Sequence, residues 1–336
     1  MPSMEALRHL LAPAILALLG CAGVLVLLLR TGLAWRLAVD LPNHRSLHTR
    51  PTPRVGGWGV TPVSTLLILI FSPALVGVAL ATLALGLLSH LDDRYGLPAR
   101  LRFIAHLLAA AGLLWVLPPT ATPWLALPLI FALVWLINLY NFMDGADGLA
   151  GGMAVFGFGA YAIAASHTQP DLAGASAIVA GAALGFLLFN FPPAKVFLGD
   201  SGSIPLGFLA GGLGYWGWHT GAWSWWFPMM VFLPFIADAS ITLLRRLLQG
   251  ERFWEAHRQH YYQRMIQMRG AHRGIVLRWY GLMLCSTFVA FCAMDMPRHQ
   301  AIAAMAAWVG AVVALGWNVD RQWRRFSLRR PDSNKV

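Results

Sequence analysis

Eleven apolar runs of about 17 to 22 residues follow one another along this 336-residue chain, and they limit its fold more than any other feature. A run of this length crosses the hydrocarbon core of a bilayer as one α-helix. The runs lie near residues 9–29, 57–72, 74–91, 102–118, 121–138, 148–166, 172–190, 202–218, 222–244, 276–294 and 300–319. With 58% hydrophobic and 12% charged residues, the chain has too few polar side chains to cover a soluble surface. The sequence predicts an all-α, polytopic integral membrane protein with about 11 transmembrane helices.

The second and third runs are the least certain, because only Ser72 and Pro73 separate them. They are two helices or one kinked element. The chain shows no internal repeat and no low-complexity linker, so we expect residues 1–336 to form a single domain. Its three cysteines all fall inside apolar runs, which is typical of small buried hydrophobic side chains.

The positions of the basic residues predict the orientation. If the amino terminus lies outside, 23 of the 25 Lys and Arg residues face the cytoplasm, and only Arg8 and Arg298 lie on the other face. Cytoplasmic loops of membrane proteins carry such an excess. We therefore expect a cytoplasmic carboxyl terminus, with 320–336 as a basic tail. The same bias explains the net charge of +11 by topology and by attraction to the lipid bilayer, without a nucleic acid partner.

The acidic residues are also concentrated on one side. Of 14 Asp and Glu residues, all but Glu5, Asp171 and Asp295 lie on or near the inner face. Acidic residues contribute little to orientation, so topology does not account for this distribution. The outer loops are short, and we expect any chemistry at the cytoplasmic face.

Two pairs of aspartates stand out on that face. Asp92 and Asp93 lie at the inner end of the third run, where a carboxylate pair opposes the helix dipole and is therefore not explained as a cap. The alternative is an ordinary acidic helix end paired with Arg94, Arg100 or Arg102. Asp144 and Asp147 are three residues apart in a glycine-rich stretch, so they share a face if that stretch is helical. Such acids suit a metal-bound or nucleotide-bearing substrate, although a polar surface loop is the simpler alternative for the second pair.

Two more inner segments could bind phosphate. Asp200 lies in the turn Gly199-Asp200-Ser201-Gly202-Ser203, where small hydroxyl donors surround one carboxylate, and Lys195 precedes it. In the most basic loop, His257 and His260 are three residues apart beside Arg258. This loop is a phosphate-binding surface or an ordinary solvated basic loop, and it lacks the ligand spacing of a zinc site. A fifth segment, 40–59, reads by itself as a loop rich in His, Arg, Pro and Gly.

Taken in order, these five stretches resemble the polyprenyl-phosphate N-acetylhexosamine-1-phosphate transferases, integral membrane enzymes that load a sugar phosphate onto a lipid carrier. The family's Asn-x-x-Asn-x-x-Asp-Gly-x-Asp-Gly-Leu-Ala signature is matched without a gap over 138–150, and Val-Phe-x-Gly-Asp-x-Gly-Ser over 196–203. Its aspartate pair resembles Asp92-Asp93, and its proline-bearing loop resembles Asp40-Leu41-Pro42-Asn43. The last inner loop departs from the histidine runs of the muramoyl and N-acetylglucosamine branches. It is more similar to members that initiate O-antigen synthesis.

The resemblance implies a reaction, a set of partners and a set of site residues. Undecaprenyl phosphate attacks the sugar-linked phosphorus of a UDP-N-acetylsugar and releases UMP, at the cytoplasmic face of the bacterial inner membrane. It implies catalytic roles for Asp92, Asp93 and Asp200, and Mg²⁺, with Mn²⁺ as an alternative, bound by Asp200 and Asp92. It implies substrate binding by Asn138, Asn141, Asp144, Asp147, Lys195, His257, Arg258 and His260. A homodimer is considered as well.

Three alternatives remain open at this point. One is the muramoyl-pentapeptide transferase of peptidoglycan synthesis, which shares the reaction but differs in the sugar. Another is a lipid or ion transporter, which normally places ionisable groups near the bilayer midplane rather than at one face. The third is a structural scaffold, which would not explain the clustered acids. The sequence also leaves open direct displacement or an enzyme-bound intermediate.

Overall fold

The fold is built almost entirely of α-helices. The computed structural model of the protein describes the backbone of residues 4–42, 47–119, 122–252, 257–270 and 272–329, and the side chains of those ranges from residue 10 onward. The predicted motif residue Asn43 lies outside the described residues. The helices are α1 Met4–Arg30, α2 Ala34–Leu37, α3 Gly56–Phe71, α4 Val76–Tyr95, α5 Ala99–Val116, α6 Ala126–Phe142, α7 Leu149–Ala165, α8 Pro170–Asn190, α9 Asp200–His219, α10 Trp226–Val231, α11 Leu233–Leu248, α12 Tyr261–Arg269, α13 His272–Asp295 and α14 Arg298–Leu328.

Seven helical stretches within the described ranges are long and apolar enough to cross a membrane. They are Leu10–Arg30, Pro73–Tyr95, Ala99–Val116, Pro123–Phe142, Pro170–Asn190, His272–Asp295 and Arg298–Leu328. Two further apolar helices, α3 and α7, are one or two residues too short for that criterion. The all-α, multi-pass membrane architecture is therefore confirmed. The count of eleven spans and the orientation of the termini stay predictions.

Proline accounts for two breaks in the helices. The second and third apolar runs form separate helices, because α3 ends at Phe71 and a short 3₁₀ turn, Pro73–Leu75, precedes α4. The ninth run, expected over 222–244, is divided at Phe232 into α10 and α11. Pro234 lies in the first turn of α11, where its missing N–H does no harm but where its ring prevents α10 from continuing.

Small residues allow the central helices to approach one another closely. Helix α8 is the most buried of the candidate spans, whereas α14 lies at the periphery of the bundle. A Cβ atom added at Gly181 would lie 2.1 Å from the carbonyl oxygen of Ala14, and one at Gly185 would lie 2.4 Å from that of Leu18. The backbones of α1 and α8 are therefore in contact, as is usual where small residues line helix interfaces in membranes.

One small two-stranded sheet precedes α3. Strand β1, Val39–Asp40, pairs antiparallel with β2, Thr52–Pro53, so that Val39 is opposite Pro53. The chain then enters α3 at Gly56. This hairpin carries the segment 40–59 back to the helix bundle, next to the beginning of α9.

Candidate active site

The segment before α3 is bound to the segment before α9 by backbone hydrogen bonds. The N–H of Phe197 donates to the carbonyl of Pro53 at 2.8 Å, and the N–H of Gly56 donates back to the carbonyl of Phe197 at 2.8 Å. The N–H of Gly57 donates to the carbonyl of Leu198 at 2.9 Å. These three bonds join two stretches that lie about 140 residues apart in the sequence.

Gly57 is the point of closest approach between these segments. A Cβ atom there would lie 2.4 Å from the backbone nitrogen of Gly202 and 2.5 Å from the carbonyl carbon of Ser201. Side chains do not tolerate such distances to backbone atoms, so this position requires glycine. The close packing holds Arg54, three residues earlier, beside Gly199 at the start of α9.

Three carboxylates surround Arg54: those of Asp93, Asp144 and Asp200. The Arg54 Nη2 atom lies 3.7 Å from Asp93 Oδ1, and the Asp93 side chain is only 5% exposed. Asp144 and Asp200 interact electrostatically with each other and with Arg54. One guanidinium facing three carboxylates leaves an excess of negative charge in a largely buried place.

Asp144 shows the electrostatic cost of this arrangement. Its pKa is raised well above its usual range, first by burial and then by the negative charge of Asp200. A hydrogen bond from the Gly199 backbone and the charge of Arg54 act in the opposite direction without reversing the shift. A further cation would be attracted to Asp144, because it would offset both the cost of burying the carboxylate and its repulsion from Asp200.

The beginning of α9 directs backbone amides at two of these acids. The N–H of Gly199 hydrogen bonds to Asp144, and that of Ser201 hydrogen bonds to Asp93. Unpaired amides and the helix dipole make the amino-terminal end of a helix attractive to negative charge. The same helix end can therefore hold carboxylates and a phosphate-bearing ligand together.

A cavity of about 220 Å³ opens beside the acids. Four residues predicted from the sequence line it: Asn141, Asp144, Asp147 and Asp200. The lining also includes residues that were given no individual role from the sequence: His48, Arg54, Asn190, Tyr262, Gln263 and His272. The volume is that of a small polar ligand, and the lining combines acids with basic and amide side chains.

The loop that carries Asp144 and Asp147 is not helical. Both residues lie between α6 and α7, so the conditional prediction of one shared helical face does not apply. Asp144 turns toward Asp200, as described above. Asp147 accepts a hydrogen bond from the Ala194 N–H at 3.0 Å, and its Oδ1 lies 3.5 Å from Nδ1 of His272. The two acids therefore serve different parts of the cavity.

Asn190 fastens this loop to the neighbouring one. Its Oδ1 accepts the Gly148 N–H at 2.7 Å, and its Nδ2 donates to the carbonyl of Val196 at 2.9 Å. Asn190 is the last residue of α8 and is buried, so it joins the Asp144 loop to the segment that leads to Asp200. A single asparagine at the end of an apolar run is too weak a signal to be recognised from the sequence.

Asp92 and Asp93, although adjacent, face different partners. Asp92 accepts the Leu97 N–H at 2.7 Å and the Arg102 guanidinium at 2.8 Å, so both of its oxygens are occupied. Asp93 turns toward Arg54 and the start of α9. The role of Asp92 as a metal ligand stays a prediction. Asp93 is the member of the pair that faces Arg54, although neither aspartate is part of the cavity lining.

The last inner loop closes the cavity through α12. Tyr262 lines the cavity, and its hydroxyl donates to the carbonyl of Phe142 at 3.1 Å. The ring of His260 stacks between those of Phe142 and Tyr262. His257 lies next to His260, with ring centroids 4.9 Å apart. The two histidines thus support the cavity wall, and neither is part of its lining.

Asp238, inside α11, anchors this arrangement. Its carboxylate is buried and accepts the backbone N–H of Tyr261 at 2.9 Å and that of Tyr262 at 3.1 Å. It also lies 3.1 Å from Nδ1 of His260 and accepts the Thr242 hydroxyl at 3.2 Å. These are the unsatisfied amides of the first turn of α12, so a carboxylate from another helix caps it.

Comparison with known proteins shows the family of this chain. The sequence model of the family described as Glycosyl transferase family 4 matches residues 75–217. This range contains Asp93, Asp144 and Asp200. A probable undecaprenyl-phosphate N-acetylglucosaminyl 1-phosphate transferase of Bacillus subtilis is 30% identical over 71% of this chain and 73% of its own length. The chain belongs to glycosyl transferase family 4.

Other family 4 relatives match more or less of the chain. A decaprenyl-phosphate N-acetylglucosaminephosphotransferase of Mycobacterium tuberculosis is 30% identical over 90% of this chain and 87% of its own length. A phospho-N-acetylmuramoyl-pentapeptide-transferase of Geobacillus kaustophilus is 37% identical, but over 46% of this chain and 58% of its own length. This family 4 protein is therefore a glycosyl-1-phosphate transferase embedded in a membrane by several helices.

Some predicted site residues of the family 4 enzyme lie away from the cavity. Asn138 donates to the carbonyl of Val134 in its own helix at 2.7 Å and lies 3.3 Å from the ring of His106. Lys195 is exposed, and the backbone carbonyl of Arg258 accepts a bond from a glutamine of α12. None of the three lines the cavity in this structure, and their roles in substrate binding stay predictions.

Proposed function

We propose that this enzyme transfers an N-acetylsugar 1-phosphate from a UDP-sugar to undecaprenyl phosphate, releases UMP, and initiates O-antigen or a related cell-envelope polysaccharide. The observation that carries the proposal is the meeting of Asp93, Asp144 and Asp200 around Arg54 beside a polar cavity. The names of the Bacillus and Mycobacterium relatives support a polyprenyl phosphate acceptor and an N-acetylhexosamine. The excess of Lys and Arg in the inner segments supports a site on the cytoplasmic face.

The reaction joins anions, and this determines what the protein must supply. An oxygen of the lipid phosphate attacks the sugar-linked phosphorus, the bond from that phosphorus to the bridging oxygen breaks, and UMP leaves with that oxygen. Phosphoryl transfer of this kind depends chiefly on neutralising charge and on aligning the reactants. Arg54 contributes positive charge in the cavity, and the dipole of α9 favours negative charge at its amino-terminal end.

The residues also fit a divalent cation. Mg²⁺ in such enzymes is usually held by one or two carboxylates together with substrate phosphates. Within the described ranges, no three His, Cys, Asp or Glu side chains are grouped closely enough to form a complete protein site. Asp200 and Asp144 are the residues that would hold the ion, which supplies charge neutralisation when bound. Asp93 would orient the lipid phosphate, whose second pKa near 6 makes a strong base unnecessary at neutral pH.

The histidines at the rim complete the proposed site. His272 is held by Asp147 and by the carbonyl of Leu47, with His272 Nε2 3.3 Å from that oxygen. His48 packs edge-on against Phe197. Both rings line the cavity. His48 can donate a hydrogen bond to a diphosphate, whereas both ring nitrogens of His272 already face protein oxygens. His257 and His260 would act indirectly, by fixing Tyr262 in the wall.

An experiment with purified components tests this proposal. The detergent-purified chain is incubated with undecaprenyl phosphate, Mg²⁺ and a panel of UDP-sugars that includes UDP-N-acetylglucosamine and UDP-N-acetylmuramoyl-pentapeptide. We expect UMP release that requires both the lipid and the metal, with an N-acetylhexosamine nucleotide as the best donor. Preference for the muramoyl-pentapeptide would favour the peptidoglycan branch instead, and failure with every donor would refute the proposed reaction.

A further inference from the structure

A second cavity lies on the opposite side of α12 from the catalytic cavity. It has a volume of about 350 Å³ and is enclosed by α11, α12, α13 and α14. Tyr261, Met265 and Arg269 of α12 line it at intervals of four residues, which places them on one face of the helix. Tyr262 and Gln263, on another face, line the catalytic cavity. The two cavities share no lining residue.

The cavity is apolar at one end and basic at the other. Pro234, Leu282 and Val312 line its deep end, whereas Arg269, Asn318 and Gln322 lie toward the cytoplasmic ends of their helices. Along α14, the lining extends from Val312 to Gln322, which is about 15 Å at 1.5 Å per residue. This length is about half the thickness of the bilayer's hydrocarbon core, or one leaflet.

Two arginines at this cavity have no carboxylate partner in the part of the chain that the structure describes. Arg278 lies six residues, or about 9 Å, inside α13, and Arg269 lies at the end of α12. Both are exposed, and neither forms an ion pair there. Asp238 also lines this cavity, but its carboxylate already accepts the backbone N–H groups of Tyr261 and Tyr262. The nearby acid Asp320 is bound by Arg245 at 3.0 Å and by Arg264 at 2.9 Å.

We propose that this cavity binds an anionic glycerophospholipid of the inner leaflet, with its phosphate at Arg269 and Arg278 and an acyl chain against α11, α13 and α14. Charge complementarity selects the headgroup, because basic pockets between helices on the cytoplasmic side attract anionic lipids. The apolar depth accommodates the chain. The occupant is distinct from the lipid substrate, whose phosphate must reach Asp200 in the catalytic cavity.

The test measures lipid binding to the delipidated, detergent-purified full chain by native mass spectrometry. Phosphatidylglycerol, phosphatidylcholine and undecaprenyl phosphate are titrated separately, without any UDP-sugar. The test variant is Arg269→Gln with Arg278→Gln. The control, Arg324→Gln with Arg325→Gln, removes the same charge from exposed positions of α14 outside the cavity.

We expect the wild type to bind phosphatidylglycerol more tightly than phosphatidylcholine. The test variant should bind phosphatidylglycerol about 30-fold more weakly, which is about 2 kcal/mol at about 1 kcal/mol per basic side chain. The control pair should stay within about threefold of the wild type. Replacing Arg269 and Arg278 with Lys should retain most of the affinity, which separates loss of charge from misfolding.

Three results would overturn the proposal. The test variant keeps its affinity for phosphatidylglycerol, the wild type does not distinguish the two phospholipids, or the test variant loses undecaprenyl phosphate binding to the same extent. The last result would assign the cavity to the substrate lipid. Because no sugar nucleotide is present, none of these results depends on whether the proposed transferase reaction is correct.

Discussion

The replacement Asp238→Asn tests whether α12 must be held in place for turnover. The carboxylate accepts two backbone N–H groups at the start of α12 and lies 3.1 Å from the His260 ring. Asparagine has nearly the same shape but is neutral, and its NH₂ group cannot accept a hydrogen bond from a backbone N–H. At least one of the two amides is therefore left without its acceptor.

The expected size of the effect follows from those contacts. A buried hydrogen bond to a charged group contributes about 1.5 to 3 kcal/mol, and a buried amide without an acceptor costs about 1 to 3 kcal/mol. We expect the free energy that favours docked α12 over displaced α12 to fall by about 2 to 3 kcal/mol. The ratio of docked to displaced helix then falls by a factor of about 30 to 150. Turnover should fall by a similar factor, because Tyr262 leaves the cavity wall when α12 moves.

The assay is UMP release under saturating substrates, together with thermal unfolding of the detergent-purified protein. The matched control is Thr242→Val, which removes the hydroxyl that donates to Asp238 at 3.2 Å but leaves both α12 amides bound. The control should lose about 1 kcal/mol of unfolding free energy at most and retain near-normal turnover. If Asp238→Asn turns over within about threefold of the wild type, the anchoring argument is wrong.

Four further predictions follow from the site. Asp200→Asn should abolish UMP release while the protein still inserts and purifies normally, and near-normal release would remove Asp200 as a metal ligand. Arg54→Gln should lower turnover at least about 100-fold, because Asp93, Asp144 and Asp200 all lose the guanidinium that stabilises their negative charge; an effect below tenfold in the same assay would contradict this. Gly57→Ala should lower the unfolding temperature markedly, because its Cβ atom would lie 2.4 Å from the backbone nitrogen of Gly202. The control Gly77→Ala should be neutral or slightly stabilising, because no atom lies within 4 Å of its Cβ position. Equal unfolding temperatures for the two variants would refute the packing argument. Burial, with the charges of His260 and Arg246, lowers the pKa of His257 from 6.5 to about 3, so its contribution to stability is present above pH 6.5 and is lost as the pH falls toward 3. His257→Gln should therefore show a smaller fall in unfolding temperature between pH 7 and pH 5 than the wild type, and parallel curves would contradict it.

The local sequence was sufficient to predict several parts of the site. The sequence predicts Asp144 and Asp200 at the inner face, where charged residues that border apolar runs usually have a function. Both residues line the cavity. The all-α membrane architecture followed from run length alone, since backbone polar groups inside a bilayer must be satisfied within helices. These features depend on residues that are close together in the chain.

Other parts could not have been predicted, because they depend on which segments meet. Nothing near Arg54 in the sequence indicates that it faces three acids; the backbone pairing of its segment with Phe197 and Leu198 brings it there. Asp92 looked as suitable as Asp93 until the fold directed it to Arg102. The rim residue His48 lies in the stretch 40–59, where the resemblance depends on other positions, and His272 lies in a segment that has no motif.

The sequence by itself was sufficient to establish a helical membrane protein with the motifs of a sugar-phosphate transferase family, and it predicts that most of the acids lie at one face. Length, hydropathy and motif spacing are local properties, and they are readable without coordinates. Only the tertiary structure decided that Asp93 faces Arg54 while Asp92 faces Arg102, and that a buried acid in α11 caps α12. Those outcomes depend on contacts between distant segments, where a change of a few ångströms in packing determines which charges meet.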